Sequence, residues 1–168
     1  MAKNRRQAAK SAQNGGSKPV PRTLYLIKRV QYKTFLRLEA ALQPLGITTT
    51  QFRILTTLSH GGKYSSAGLS RMFAVKPQTM IKQIANLESS KLIERNLAKG
   101  SKRVLEVTLT EAGRVALKAC DKAATAVEAD IFAGFEPGEL ETYRALMQKL
   151  LASMRRVPGS SAVPGRAL

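Results

Sequence analysis

The feature that most constrains the fold is a series of closely spaced helix boundaries, followed by a change of hydrophobic period. Residues that end or begin helices stand at Pro44, Gly46, Thr48, His60, Ser65 and Pro77. Thr48 with Gln51 forms a capping-box pattern. A proline suits the first position of a helix because its φ is already fixed. The spacing predicts three short helices in succession, beginning near residues 48, 65 and 77.

Longer helices are predicted on both sides of this segment. Between residues 22 and 43, apolar residues recur mostly at three- and four-residue steps, which is typical of an amphipathic helix. These residues are Leu24, Ile27, Phe35, Leu38 and Leu42. An alanine-rich helix is predicted from Thr110 to about Phe132, and a last helix begins near Pro137. The last helix has a coiled-coil-like seam, formed by Leu140, Tyr143, Met147, Leu150 and Met154.

Residues 92–110 change to the two-residue period of a β-strand. Val107 and Leu109 alternate with Glu106 and Thr108, and Gly100 lies in a polar loop before them. This pattern predicts a β-hairpin. The order helix, helix, turn, helix, hairpin is that of a winged helix-turn-helix. The predicted fold class is therefore mainly α with a small β-hairpin wing.

The charge of the chain is strongly positive and unevenly distributed. The length of 168 residues is enough for one domain with or without tails. The chain contains 28 Lys and Arg against 11 Asp and Glu, which gives a formal net charge of +17. Residues 1–110 carry most of the excess, whereas residues 111–156 contain seven bases and seven acids. Such an excess favours a polyanionic partner for the first two thirds of the chain.

Cysteine content and hydropathy exclude several classes of protein. The single cysteine, Cys120, cannot form an internal disulfide, which excludes a disulfide scaffold and fits a reducing compartment. No apolar stretch approaches the ~18 residues that a membrane span needs. Residues 7–21 lack the apolar segment of a signal peptide. We expect a soluble, cytoplasmic protein with no membrane partner.

An enzyme is not expected. His60 is the only histidine, so one chain cannot build a His-paired nucleophile or a multi-histidine metal site. Its place at a predicted helix end favours a capping role. No Gly-rich phosphate loop is present, and we expect neither a cofactor nor a metal. For Cys120, in the alanine-rich helix, a packed core thiol is favoured over a redox role.

The fourth predicted helix carries the pattern that indicates a function. Met80, Ile84 and Leu87 lie within about 60° of one another and face the core. The opposite side carries amides, a hydroxyl and one lysine, where a surface helix usually has Glu and Lys. In the major groove amides can pair with adenine and lysine with guanine, although an ordinary solvated face is the alternative. The candidate DNA-binding residues of this helix are Lys76, Gln78, Thr79, Lys82, Gln83 and Asn86.

The loop of the predicted hairpin is basic. It contains Lys99, Lys102 and Arg103 around Gly100. A wing tip of this kind can enter the minor groove or contact phosphates, where cationic groups meet enhanced negative potential. The alternative is a solubilising turn, since lysine is common in turns. We predict that the three basic residues bind DNA.

Four segments resemble the MarR family of bacterial transcription regulators. They are residues 45–48, 52–58 and 75–92 and the run Leu109-Thr110-Glu111-Ala112-Gly113. The resemblance covers residues 22–156 and implies an obligate homodimer, joined through N- and C-terminal dimerisation helices, on a palindromic double-stranded DNA operator. It also implies a repressor that a small ligand, often aromatic or anionic, releases from DNA.

Two departures from the family pattern stand out. The wing tip of the family typically reads Asp-Arg-Arg, where the acid braces the first arginine, but this chain has Ser101-Lys102-Arg103. The third helix of the family commonly has Glu where Gly68 stands, so we expect an incomplete capping box and a softer helix here.

Composition predicts the two ends of the chain, and the resemblance predicts the organisation of the domain between them. Residues 1–21 are expected to be a disordered basic arm and residues 157–168 a disordered tail. Residues 22–156 form the regulator domain. Within it, residues 22–45 and 111–156 are the dimerisation helices and residues 47–110 the DNA-binding lobe.

The effector and the binding mode leave alternatives open. A pocket for an aromatic acid or an acyl-CoA thioester could be lined by Tyr25, Arg29, Tyr32, Phe35 and Arg53. Tyrosines on a dimer helix are more often packing residues. A different class of function is a nonspecific architectural nucleic-acid-binding protein that uses its charge for counterion release alone.

Overall fold

The computed structural model describes residues 21–61, 64–97 and 105–154, and in this part the chain forms six α-helices, one 3-10 turn and a β-hairpin. The elements before the hairpin are α1 (Thr23–Leu42), the 3-10 turn (Gln43–Leu45), α2 (Thr49–Ser59), α3 (Ser66–Met72) and α4 (Pro77–Ser89). They are followed by β1 (Ile93–Leu97), β2 (Leu105–Leu109), α5 (Glu111–Ile131) and α6 (Pro137–Met154). The predicted fold class is confirmed.

The chain divides into two units, Met1–Arg37 and Leu38–Leu168, whose boundary lies within α1. In the described part of the first unit, residues 21–33 and 35–37 are exposed, and only Thr34 is partly buried. The second unit contains the core and all elements from the end of α1 onward. The predicted basic arm up to residue 20 and the predicted tail lie outside the described residues.

The helix boundaries follow from local hydrogen bonds that the sequence predicts. The Gln51 backbone N–H donates to Thr48 Oγ1 (3.2 Å), and the Thr48 N–H donates to Gln51 Oε1 (2.9 Å), so the capping box is complete. Ser65 caps α3 by accepting from the Gly68 N–H (3.1 Å), but Gly68 has no side chain to return the bond. Pro77 stands in the first turn of α4, as predicted.

The core of the second unit is assembled from every α-helix and β-strand between the end of α1 and the middle of α5, together with Ile47. Its buried members are Leu42, Ile47, Ile54, Leu55, Leu58, Leu69, Met80, Ile84, Leu87, Ile93, Val107, Leu109, Leu117 and Cys120. Phe52 and Phe73 pack against this cluster, whereas Met72 is exposed. At the end of α3 it is therefore the C-cap residue Phe73, and not Met72, that packs against the core. Glu39 joins the end of α1 to the start of α2, because its carboxylate accepts from the Thr49 N–H (2.9 Å).

The hairpin is antiparallel, and its register puts the core residues on one face. Ile93 pairs with Leu109, and Arg95 pairs with Val107. Val107 also donates its N–H to the Tyr64 carbonyl (2.8 Å), so the segment before α3 forms a bridge beside β2. Only the base of the hairpin is buried, and the pair Leu97 and Leu105 next to the loop is exposed. The core therefore fixes the hairpin at its base.

A close backbone contact fixes the start of α5 against the start of β1. Thr110 caps α5 by accepting from the Gly113 N–H (3.0 Å), and its hydroxyl also donates to the Lys91 carbonyl (2.7 Å). Lys91 has a positive φ of 59°, which turns the chain after α4. A Cβ on Gly113 would lie 1.9 Å from the Leu92 carbonyl oxygen. Glycine is therefore required here by the approach of another backbone segment.

The end of α4 is also joined to β1 by an ion pair. The Arg95 Nε donates to Glu88 Oε1 (3.0 Å), and Arg95 Nη2 contacts Glu88 Oε2. The Arg95 hydrogen bond holds the pKa of the Glu88 carboxyl below its ordinary value, and the same bond raises the pKa of Arg95. This two-point contact ties the fourth helix to the first strand of the hairpin.

The α5–α6 corner is held by three aromatic rings. The centroid of Phe132 lies 5.3 Å from that of Phe135 and 5.6 Å from that of Tyr143. Beyond this corner α6 has no buried residue. Its seam is half-buried at Leu140, Tyr143 and Met147 and becomes exposed toward the end of the helix. None of the described helices is both long and apolar enough to cross a membrane.

We predict that Gly113→Ala destabilises the fold severely. The new methyl group would overlap the Leu92 carbonyl, and relief requires α5 or the start of β1 to move. We expect a loss of about 3 kcal/mol or more of unfolding free energy, at the upper end of overpacking substitutions. Urea unfolding followed by circular dichroism measures it.

Gly68→Ala is the matched control. Its Cβ would meet only Ser65 Oγ at 3.5 Å, which is ordinary contact. Because alanine is the better helix former, we expect a gain of about 0.5–1 kcal/mol. Equal stability of the two variants would show that the Leu92 contact does not select glycine at position 113.

We predict a pH-dependent contribution from Glu88. Its pKa is lower in the folded chain than in the unfolded one, so the ion pair stabilises the fold at neutral pH. That stabilisation disappears as the pH falls through the folded pKa and the carboxylate is protonated. The unfolding free energies of the wild type and Glu88→Gln should therefore differ at pH 7 and converge in acid.

Arg95→Gln provides the control for this interaction. Added to Glu88→Gln it should cost little further stability at pH 7, because the two side chains form one contact. Additive losses from the two substitutions would mean that each residue acts through other neighbours.

Candidate nucleic-acid interface

The position of α4 is set by its buried side. Met80, Ile84 and Leu87 are 0–1% exposed and belong to the core cluster, as the helical spacing predicts. Three anchors at i, i+4 and i+7 fix the rotation of the helix about its axis. The opposite side is consequently held toward solvent, and the side chains that it presents are determined by the sequence of the helix.

The side of α4 that faces away from the core presents most of the predicted DNA-binding residues. Gln78, Thr79, Lys82 and Asn86 are exposed, and so is Lys76 just before the helix. These residues offer amide, hydroxyl and ammonium groups within about three turns of one helix. The structure therefore gathers them on one surface, which we call the α4 face, and their contact with DNA stays a prediction.

Gln83 differs from its neighbours on α4. It is partly buried, and its Oε1 is shielded from solvent with no hydrogen-bond partner among the residues that the structure describes. A buried amide oxygen without a partner costs free energy. Gln83 therefore lies at the border between the α4 face and the core.

The start of α4 has features that suit an anion. Lys76 is the N-cap residue and makes no side-chain cap hydrogen bond, and Pro77 follows it. No acidic residue stands in the first turn, so the positive end of the helix dipole is not neutralised within the helix. Together with the Lys76 ammonium group, this end can bind a phosphate oxygen.

The basic residues predicted for the wing, Lys99, Lys102 and Arg103, lie outside the described residues. The strands that flank them are described, and β1 is tied to α4 through Arg95 and Glu88. Spacing in the sequence did not predict this ion pair, because it joins a helix to a strand.

The candidate ligand residues lie in different units of the chain. Tyr25, Arg29, Tyr32 and Phe35 are exposed on α1 in the first unit, where the Arg29 guanidinium carbon lies 5.6 Å from the centroid of the Tyr25 ring. Arg53 lies on α2 in the second unit. Its guanidinium carbon lies 4.6 Å from the centroid of the Phe73 ring, a cation–π contact that the sequence did not predict.

One cavity in the second unit has a volume of about 280 Å³. It is lined by Thr125, Glu128, Ala129, Phe132, Leu140 and Arg144. Within it Arg144 Nη2 donates to Glu128 Oε1 (3.0 Å). None of the candidate ligand residues lines this cavity.

His60 and Cys120, whose side chains could in principle take part in catalysis or redox chemistry, both make structural contacts. His60 is the C-cap of α2, and its Nδ1 lies 2.6 Å from the Thr56 carbonyl, which matches the capping role predicted for it. Cys120 is fully buried in the core, and burial raises the pKa of its thiol. A buried, protonated thiol is a poor nucleophile. The described residues contain no cluster of His, Cys, Asp and Glu that could hold a metal.

Sequence reasoning missed one exposed residue of α4. Ile81 is 49% exposed, although it is as apolar as the buried Ile84. The signal is present in the sequence, since Ile81 lies about 100° from Met80 around the helix and therefore outside the core side.

Comparison with known proteins identifies the family. The model of the MarR family matches residues 47–105. The HTH-type transcriptional repressor Rv2887 of Mycobacterium tuberculosis (strain ATCC 25618 / H37Rv) is 32% identical over 126 residues, which are 75% of this chain and 91% of the repressor.

Crystal structures of Rv2887 also match. Its complex with DNA gives a TM-score of 0.69 at 30% identity and covers 78% of this chain and 98% of that one. Its complex with salicylic acid gives a TM-score of 0.67 at 31% identity and covers 79% and 98%. The chain belongs to the MarR family of transcription regulators, which are DNA-binding proteins rather than enzymes.

Proposed function

We propose that this protein is a homodimeric transcription repressor that reads a palindromic operator with the α4 face. The observation that carries the proposal is the fixed orientation of α4. Buried Met80, Ile84 and Leu87 hold exposed amide, hydroxyl and lysine side chains on one surface. The structure of the related repressor with DNA supports the proposal.

The chemistry of the α4 face matches base edges in the major groove. The amides of Gln78 and Asn86 each offer a donor and an acceptor, which is what the N6 and N7 edge of adenine requires. The ammonium group of Lys82 can donate to O6 and N7 of guanine. Thr79 and Lys76, near the start of the helix, are placed to contact phosphates and fix the register of the helix on the duplex.

Further phosphate or minor-groove contacts are proposed for the wing. Lys99, Lys102 and Arg103 carry three positive charges within five residues. The acid that typically braces an arginine in this family is replaced by Ser101. We propose that the ion pair between Glu88 and Arg95, in the middle of β1, orients the wing by holding its first strand against α4.

Association of two chains is supported by exposed apolar residues on two helices. On α1, in the first unit, large apolar side chains that are at least 41% exposed are Leu24, Tyr25, Leu26, Val30, Tyr32, Phe35 and Leu36. On α6, in the second unit, Leu146, Leu151 and Met154 are more than half exposed. Large exposed apolar side chains that lie close together on a soluble protein favour a protein interface. Residues 111–156 contain equal numbers of acids and bases, so this segment adds no net charge that would oppose association.

A small aromatic acid is the proposed effector. The related repressor has been crystallised with salicylic acid, and α1 presents both aromatic rings and a guanidinium group. The guanidinium of Arg29 would bind the carboxylate, and Tyr25, Tyr32 or Phe35 would contact the ring. Arg53 stays a separate candidate, with its present contact on Phe73. An acyl-CoA thioester is the competing effector, because its phosphates also require cationic residues.

The net charge of +17 favours a second candidate function, a nonspecific architectural DNA-binding protein. Such a protein needs only basic residues on its DNA-binding surface. The amides of the α4 face have no role in counterion release, and for this reason we favour sequence-specific binding.

We predict that Lys82→Ala and Asn86→Ala each weaken operator binding by ~1–3 kcal/mol and barely change binding to random DNA. Each substitution removes a base contact and leaves the phosphate contacts in place. Footprinting on DNA beside the gene would first define the operator, which should be protected as two symmetric half-sites. Fluorescence anisotropy on the operator and on a scrambled duplex at ~150 mM salt then measures the affinities.

Two outcomes would contradict this assignment. Equal losses on operator and scrambled DNA would show that Lys82 and Asn86 contact only phosphates. A smeared footprint that disappears with competitor DNA would favour the architectural function.

We predict that salicylate releases the protein from its operator and that Arg29→Gln requires about tenfold more salicylate, the value of one charge-assisted hydrogen bond. Lys33→Gln is the matched control, since it removes the same charge from an exposed position on the same helix. 2-Hydroxybenzyl alcohol, which keeps the ring and the phenolic hydroxyl but lacks the carboxylate, should not release the DNA. Equal responses of the two variants would exclude Arg29 as a ligand contact, and release by an acyl-CoA alone would favour the competing effector.

A further inference from the structure

An exposed isoleucine stands beside the α4 face. The other large aliphatic side chains of α4, at positions 80, 84 and 87, are 0–1% exposed, whereas Ile81 is 49% exposed. Ile81 lies about 100° around the helix from Met80, so the rotation that buries the core side turns Ile81 outward. Its exposure is therefore a fixed consequence of how α4 is anchored.

The neighbours of Ile81 on the helix surface are polar or small. Gln78 precedes it by three residues and Ala85 follows it by four, and both are exposed. Residues at these spacings lie next to one another on a helix. Ile81 and Ala85 thus form a short apolar strip along one edge of the α4 face, with the Gln78 amide at its first turn.

An aliphatic side chain can recognise only one group on the base edges of the major groove. Each of the four bases presents hydrogen-bonding atoms in the major groove, but only thymine also presents an apolar group there, its C5-methyl group. Isoleucine is β-branched and has few rotamers, so holding it against a methyl group costs little entropy. Burying the contact also removes apolar surface of Ile81 from water.

We propose that Ile81 is a specificity-determining residue that contacts the C5-methyl group of a thymine in each operator half-site. Gln78, one turn earlier, lies beside it and can pair with a neighbouring adenine edge. The two side chains together make one end of the α4 face selective for A·T pairs. The inference rests on the proposed function, because it requires that α4 enters the major groove of a defined operator.

Replacing thymine by uracil tests the contact, because only the methyl group is removed. Each thymine of the footprinted operator is replaced in turn, symmetrically in both half-sites, and the affinities of the wild type and Ile81→Ala are measured. For the wild type we expect one position at which uracil lowers the affinity about fourfold per half-site, the value of burying one methyl group. For Ile81→Ala the same replacement should have no further effect.

Two variants make the test specific to Ile81. Lys82→Ala removes a neighbouring base contact, so it should retain the full uracil effect at the position assigned to Ile81. Ile81→Val keeps the β-branch and should retain part of the uracil effect. Because Ile81 is half exposed, thermal unfolding should show that Ile81→Ala folds as the wild type does.

The outcomes separate this inference from the function on which it rests. The footprint could be well defined while Ile81→Ala abolishes the uracil effect at no thymine. That result would overturn the inference and leave the proposed function standing. Additive losses from uracil and Ile81→Ala at every thymine would overturn it in the same way. Absence of a footprint would overturn both.

Discussion

The burial of one side of α4 is the interaction on which the rest of this structure depends. Met80, Ile84 and Leu87 are almost fully removed from water and contact the core that α2, α3 and the hairpin complete. Burying each such side chain contributes roughly 1.5–3 kcal/mol, far more than a surface hydrogen bond. The same burial decides which residues point outward. The stability of the fold and the choice of residues exposed on the α4 face therefore have one cause, and a polar residue on that face costs the fold little.

The junction between α4, β1 and α5 is the second constraint. Within a few residues it contains a left-handed Lys91, the Thr110 cap and the close approach of Gly113 to the Leu92 carbonyl. The Glu88–Arg95 pair lies at the same junction and joins α4 to β1. The hairpin and α4 are thus held by backbone contacts and by one ion pair. Because backbone contacts cannot relax by a change of rotamer, this junction is stiffer than a contact between side chains alone.

The features that could be predicted from the sequence are local or periodic. The Thr48–Gln51 capping box, the Ser65 cap, Pro77 in the first turn of α4 and the alternation of Val107 and Leu109 were each readable within a few residues. The α4 face was predictable for the same reason, since the buried and exposed residues of one helix follow from its period.

The features that could not be predicted join elements that are far apart in the sequence. Arg53 on Phe73, Glu88 on Arg95 and Gly113 against Leu92 depend on tertiary placement, which no spacing rule supplies. The run Leu109-Thr110-Glu111-Ala112-Gly113 shows the difference clearly. Its resemblance to a family pattern was visible, but the reason for its glycine is a carbonyl group that lies twenty-one residues earlier in the chain.

Charge and chemistry have separate roles on the surface of this protein. The excess of basic residues attracts any duplex, and its effect weakens as salt rises, so it can supply affinity without selecting a sequence. Selection needs groups whose interaction changes from one base to another. For this role we propose, on α4, the amides of Gln78 and Asn86, the ammonium group of Lys82 and the side chain of Ile81, all of which are exposed. An exposed isoleucine has no counterion to release, so any affinity that it contributes must depend on which bases lie next to it.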